Sequence, residues 1–123
     1  MAKLPLLIDS DIWIDYFNAG RFTQYFQAPY VVYYSVVTQK ELLAKRGMRD
    51  SERQEIILEL NRYRLIPLDN RITKVYWSLR SSLRHLDKND ALIAATAISK
   101  RIPLFTKNWK HFAAIQGLRL FSE

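Results

Sequence analysis

The sequence predicts an α/β fold, a three-layer α/β/α sandwich around a mostly parallel sheet of four to five strands. Short β-branched or aromatic runs alternate with helical segments along the whole chain. Parallel neighbours need right-handed crossovers, so that alternation places helices on both faces of the sheet. A second observation is where the acids fall. Asp9 closes LLID, Asp11 follows it, Glu41 sits in VVTQKELL and Asp90 opens DALIAATA. These are strand ends and first helical turns, which converge at the carboxyl edge of an open α/β sheet, where ligands bind.

Each element has its own signal. Leu4 to Ile8 is an apolar run that breaks at Asp-Ser-Asp and re-emerges as Ile12, Trp13, Ile14, Tyr16 and Phe17, a strand entering a helix that ends at Asn18-Ala-Gly20. A short helix is expected around Phe22 to Phe26. Tyr30 to Tyr34 is the second strand. Ser35 caps the helix carrying Glu41, Leu42 and Leu43, Gly47 marks its end, and a further amphipathic helix spans about Ser51 to Tyr63.

Leu65 to Leu68 is the third strand. Asp69 or Asn70 caps a helix bearing Val75, Trp77, Leu79 and Leu83, and Asp87 or Asn89 opens the alanine-rich helix from Ala91 to Ser99. Ile102 to Thr106 forms the fourth strand, Trp109 to Phe112 a helical turn, and Leu118 to Phe121 a fifth strand at an edge. Trp13, Trp77 and Trp109 lie among apolar neighbours and are expected in the core.

Composition narrows the function classes. The chain has 123 residues, suited to one domain over residues 1–123, and 49% are hydrophobic, enough for a single packed core. No apolar run approaches the roughly 20 residues of a membrane span, and MAKLPLLIDSD lacks the pattern of a signal peptide, so a cytoplasmic protein is expected. There is no cysteine. That excludes disulfides, thiolate nucleophiles and cysteine zinc sites, leaving oxygen donors or His85 and His111 for any metal. The net charge of +7 favours a polyanionic partner such as nucleic acid, or an acidic protein. Lys45, Arg46, Arg49 and Arg53 form the nearest thing to a basic cluster, a pattern that also suits a solvated helix face.

Clustered carboxylates repel one another unless a divalent ion neutralises them, so the acids suggest a hard-cation site. Each also has a structural alternative. Asp9 and Asp11 can cap the first helix, and Glu41 can close a capping box with Thr38 unless Ser35 is the cap. Asp90 stands three residues after Asp87, an arrangement that serves a helix start as well as it serves phosphate binding. Asp15 is expected to be solvated or structural. Thr106 and Asn108 can support the carboxylates by hydrogen bonding or can belong to an ordinary turn. His85 and His111 show no ligand spacing.

Together LLIDSDIWIDYF, VVTQKELLA, KNDALIAATA and PLFTKNWKHF resemble the four sequence blocks of the PIN-domain nucleases, particularly the VapC-like toxins of toxin-antitoxin pairs. The resemblance implies a Mg²⁺-dependent ribonuclease, with Mn²⁺ able to substitute, that cuts RNA, is held by a cognate antitoxin protein and forms a homodimer. It assigns Asp9, Glu41 and Asp90 as catalytic and metal-binding residues, supported by Asp11, Thr106 and Asn108. Asn108 stands where such sequences commonly carry Asp, and Asp11 can restore the missing charge. Two rivals are a PIN-like module that binds RNA or protein without cutting, and a phospho-receiver in which Asp69 accepts phosphate.

Overall fold

A computed structural model describes residues 2–123. The elements run β1 (Leu4–Ile8), α1 (Ser10–Ala19), a 3-10 turn (Thr23–Phe26), β2 (Tyr30–Ser35), α2 (Val36–Leu43), α3 (Asp50–Leu60), β3 (Arg64–Ile66), α4 (Asn70–Ser82), α5 (Lys88–Lys100), β4 (Leu104–Phe105) and α6 (Trp109–Phe112). All the pairings are parallel, in the order β3-β2-β1-β4. The chain leaves β1 toward β2 on one side, whereas β4 joins on the other. A crevice therefore opens between β1 and β4 at their carboxyl ends, the switch point where such sheets bind ligands.

Period-two alternation builds the three layers. Leu6, Ile8, Val32, Tyr34 and Phe105 point to one face, where they pack with Ile12 and Trp13 of α1, Leu42 of α2 and Leu60 of α3. Leu7 and Leu104 point to the other, against Ile72 of α4 and Ala91, Ile93, Ala94 and Ala95 of α5. Both faces are apolar, as burial between two helical layers requires. The small side chains of α5 let its backbone lie close to the sheet and α4. Helix caps follow the sequence: Ser35 Oγ accepts from Thr38 N at 3.3 Å and Asp69 Oδ1 from Ile72 N at 2.9 Å, satisfying amides the helices leave unpaired.

Several expectations need correction. The segment from Leu118 to Phe121 is no strand but a single parallel bridge, Leu104 to Leu120, flanked by Leu104 N to Arg119 O (2.9 Å) and Phe121 N to Leu104 O (2.8 Å). The reason lies in β4, which offers only two residues before Thr106 turns toward the site. The third strand stops at Ile66, because Pro67 has no amide to continue a ladder. Trp13 is fully buried, but Trp77 is 61% exposed and Trp109 46% exposed. Trp77 lies five residues, about 140° of helix rotation, from the buried Ile72, and so falls on the outer face. In the single turn of α6, Phe112 takes the one inward position.

Candidate active site

Asp9 occupies the switch point. It directly follows β1, its amide donates to Phe105 O at 2.9 Å, and it caps α1 by accepting from Ser10 N at 2.8 Å. Its second oxygen accepts from the Thr106 hydroxyl at 2.8 Å, which ties the ends of β1 and β4 together. Only 6% of the residue is exposed. Burial, followed by the adjacent charge of Asp11, pushes its carboxyl up from 3.8 to about 7, against the opposing hydrogen bonds from Thr106 and Ser10; Asp90 adds to the rise. Asp9 is thus the cap of α1 and also lines an acidic hollow.

Asp11 bonds its own helix through Ile12 N at 2.7 Å and reaches the β4–α6 connection through Lys107 N at 3.0 Å. Glu41 does not close a capping box. Ser35 holds the Thr38 amide, and the Glu41 carboxylate instead accepts from Ser10 Oγ at 2.7 Å, with Thr38 Oγ1 3.0 Å from the same hydroxyl. Asp90 lies in the first turn of α5, which Asp87 caps by accepting from Asn89 N at 3.1 Å. Its Oδ2 stands 2.9 Å from His111 Nδ1, and because an ionised carboxylate only accepts, His111 is the donor. Burial raises the Asp90 carboxyl above its ordinary value, although the His111 bond opposes the shift.

These groups meet around one hollow of about 200 Å³, lined by Asp9, Asp11, Glu41 and Asp90 together with Ser10, Asp87, Asn89 and Asn108. Its polar lining is built from hard oxygen and amide donors. Among the described residues no three acidic or histidine side chains are close enough to form a ready-made metal cage. Glu41 is held toward Ser10 and Asp90 toward His111, so the acids share a hollow while each keeps its own partner. The donor set suits a divalent hard cation, and the elevated Asp9 carboxyl marks negative charge for which such an ion would compensate.

Thr106 and Asn108, both just after β4, are placed differently. Thr106 is buried and donates to Asp9, while its oxygen accepts from Asn108 N at 3.0 Å; the Asn108 side chain lines the hollow and makes no capping bond. Asp15 is structural, pairing with Lys107 at 2.7 Å and Arg21 at 3.5 Å. In the basic cluster, Arg49 pairs with Glu52 at 3.1 Å and Arg53 donates to Leu43 O at 2.8 Å.

Two contributors carry no role from the sequence, His111 for want of a ligand spacing. Ser10 was visible only as the middle of Asp-Ser-Asp, and His111 lies 21 residues from Asp90 with no periodicity linking them.

This crevice, with acids from β1, α2 and α5 around it, defines a class, and the family model of the PIN domain matches residues 6–118: the chain belongs to the PIN domain family. Within that family it is similar to Ribonuclease VapC1 of Methanocaldococcus jannaschii, 28% identical over 96% of this chain and 88% of the relative. Among solved structures it is similar to a toxin-antitoxin complex from Klebsiella pneumoniae (28% identity, TM-score 0.77, covering 92% of this chain and 94% of that one). The fold also matches VapBC2 from Rickettsia felis bound to a DNA fragment from their promoter, at 23% identity and TM-score 0.83, covering 96% and 98% of the two chains.

Proposed function

We propose that this chain is a metal-dependent endoribonuclease and the toxin of a toxin-antitoxin pair. The observation that carries this reading is the buried Asp9 carboxyl, raised to about 7, at the sheet's switch point in a hollow shared with Asp11, Glu41 and Asp90. The similarity to Ribonuclease VapC1 and to a toxin-antitoxin complex supports the substrate and the partner.

Asp9, Glu41 and Asp90 would hold Mg²⁺ or Mn²⁺, with Asp11 and Asn108 beside them. Such an ion supplies Lewis acidity, which makes water acidic enough to attack a phosphodiester near neutral pH and offsets phosphate charge. The chain's own residues supply orientation. Thr106 fixes one Asp9 oxygen, Ser10 fixes Glu41 and His111 fixes Asp90, so each of the three carboxylates is held at the hollow by a donor of its own. Because Asn108 is neutral where a fourth acid is common, the protein without nucleic acid is expected to fill one Mn²⁺ site strongly.

A homodimer is part of the proposal, supported by the family resemblance and by the exposed Trp77 on the outer face of α4; light scattering that finds a monomer at micromolar concentration removes it. No helix among the described residues is long and apolar enough to cross a membrane. The phospho-receiver reading loses its acceptor, because Asp69 caps α4 and pairs with Lys100 at 2.6 Å.

The test is cleavage of a mixed structured-RNA pool with Mg²⁺ or Mn²⁺, beside a chelator control and the Asp9→Asn and Asp90→Asn variants. Cutting that needs the ion and vanishes in both variants is expected. Tight RNA binding without cutting, in folded protein with Mn²⁺ present, points instead to a non-cleaving binder.

A further inference from the structure

Three hollows adjoin one another, the middle one at the carboxyl edge of the sheet. The acidic one shares Ile14 and Glu41 with a hollow of about 310 Å³ that also includes Lys45, and it shares Asp87 and Asp90 with one of about 230 Å³ beside α6. The catalytic acids therefore sit midway along a trough with a cation toward each end. The α6 hollow has a chemistry of its own. Leu86 and Ile115 are buried in its wall with Leu83 half-buried beside them, while His85 and Lys110 are exposed.

We propose that the α6 hollow is a nucleotide subsite, receiving the base next to the cleaved phosphate while Lys110 meets the backbone phosphate outside. The inference rests on the ribonuclease reading above. Charge selects the orientation: Asp87 and Asp90 on the shared wall repel a phosphate, so the base turns inward and the phosphate stays at the lysine. The apolar wall and the planar His85 ring suit the face of a base, which every nucleotide presents, and single-stranded nucleic acid is held by this pairing of flat contacts with cations. His111 keeps its bond to Asp90, so a base seated here lies directly against the group that orients a catalytic carboxylate. The hollow thereby links base choice to cleavage.

The experiment sequences the ends left when a randomised single-stranded RNA is cut by wild type, Ala114→Trp, Lys110→Glu and the control Lys74→Glu. Ala114 is an exposed lining residue, so a tryptophan there fills the hollow from the solvent side. Lys74 is an exposed lysine outside all three hollows. Cleavage of an RNA oligonucleotide carrying an abasic residue at the position beside the cut is followed in parallel, because that substrate has no base to seat there.

The expected result is a wild-type preference at one position beside the cut, erased or altered in Ala114→Trp. Its KM for RNA should rise roughly tenfold, the size of one stacking contact, with a smaller effect on the abasic RNA. Lys110→Glu should raise KM for RNA without altering the preferred base, and Lys74→Glu should match wild type. Three outcomes overturn the subsite while sparing the ribonuclease reading: an unchanged preference and KM in Ala114→Trp, equal losses on both substrates, or a wild type with no preference beside the cut. A wild type that cuts neither substrate overturns both.

Discussion

The two ends of α1 follow opposite physical rules. Its amino end carries Asp9 and Asp11 in a crowded acidic edge, where burial and like charge oppose ionisation. One turn on, Trp13 begins an aromatic layer: its ring stands 4.8 Å from Phe26, 5.4 Å from Tyr63 and 5.8 Å from both Phe17 and Tyr34. Tyr16 continues that layer, stacking on Phe26 at 3.9 Å and donating its hydroxyl to Glu59 at 2.9 Å, which ties α1 to α3. Aromatic burial stabilises the fold, whereas the acidic edge costs stability that a bound cation would return. The rigid layer holds the costly edge in place, a division expected where function opposes stability.

The largest effect should come from breaking the layer. Trp13→Ala is expected to remove roughly 3–5 kcal/mol of stability, read as a lowered midpoint in urea denaturation, and to abolish activity only through unfolding. If the unfolding free energy falls by less than about 1 kcal/mol, the layer is not what anchors α1.

Asp9→Asn should do the reverse, stabilising the protein while removing cleavage. The Asp9 carboxyl is raised from 3.8 to about 7, so folding favours its protonated form. That contribution is complete below about pH 4 and is lost as pH rises through 7. Metal-free wild type should therefore fall behind Asp9→Asn across that window, by up to about 4 kcal/mol at pH 8. Added Mn²⁺ should close the gap by stabilising wild type alone. Melting curves at pH 4 and pH 8, with and without the ion, decide it; a gap that is independent of pH would mean that Asp9 is not the titrating group.

Ser10→Ala leaves Glu41 without its 2.7 Å donor. A loss of roughly 10- to 100-fold in Mn²⁺ affinity is expected, as for other residues that orient ligands, together with a modest fall in the melting temperature of the metal-free protein, because the buried Thr38 hydroxyl loses its partner too. Titration calorimetry that finds wild-type affinity would show that Glu41 needs no such support. The smallest effect belongs to Trp77→Ala on the outer face of α4: about 0.5 kcal/mol or less in monomer stability, with the change appearing instead in the molar mass seen by light scattering.

Much of the site was legible because it follows local rules. An acid directly after an apolar strand must emerge at the sheet's carboxyl edge, and Asp9 does; Ser35 after β2 caps α2, which frees Glu41. The misreadings share a cause. Trp77 and Trp109 are apolar by type but lie outside the packed stripe of their helices, so type alone overstated their burial. His111 offered no spacing to read, because its partner is brought by α5 packing beside α6.

From the sequence alone came the alternation of strands and helices, the caps and the placement of acids at strand ends, since each depends on neighbours within a few residues. Tertiary structure decided the order β3-β2-β1-β4, the contact of Thr106 with Asp9 across 97 positions and that of Ser10 with Glu41 across 31. Those choices belong to packing. Which side chain meets a carboxylate is set by the faces two elements bury against each other, and by the need to supply a donor to each acid taken out of water.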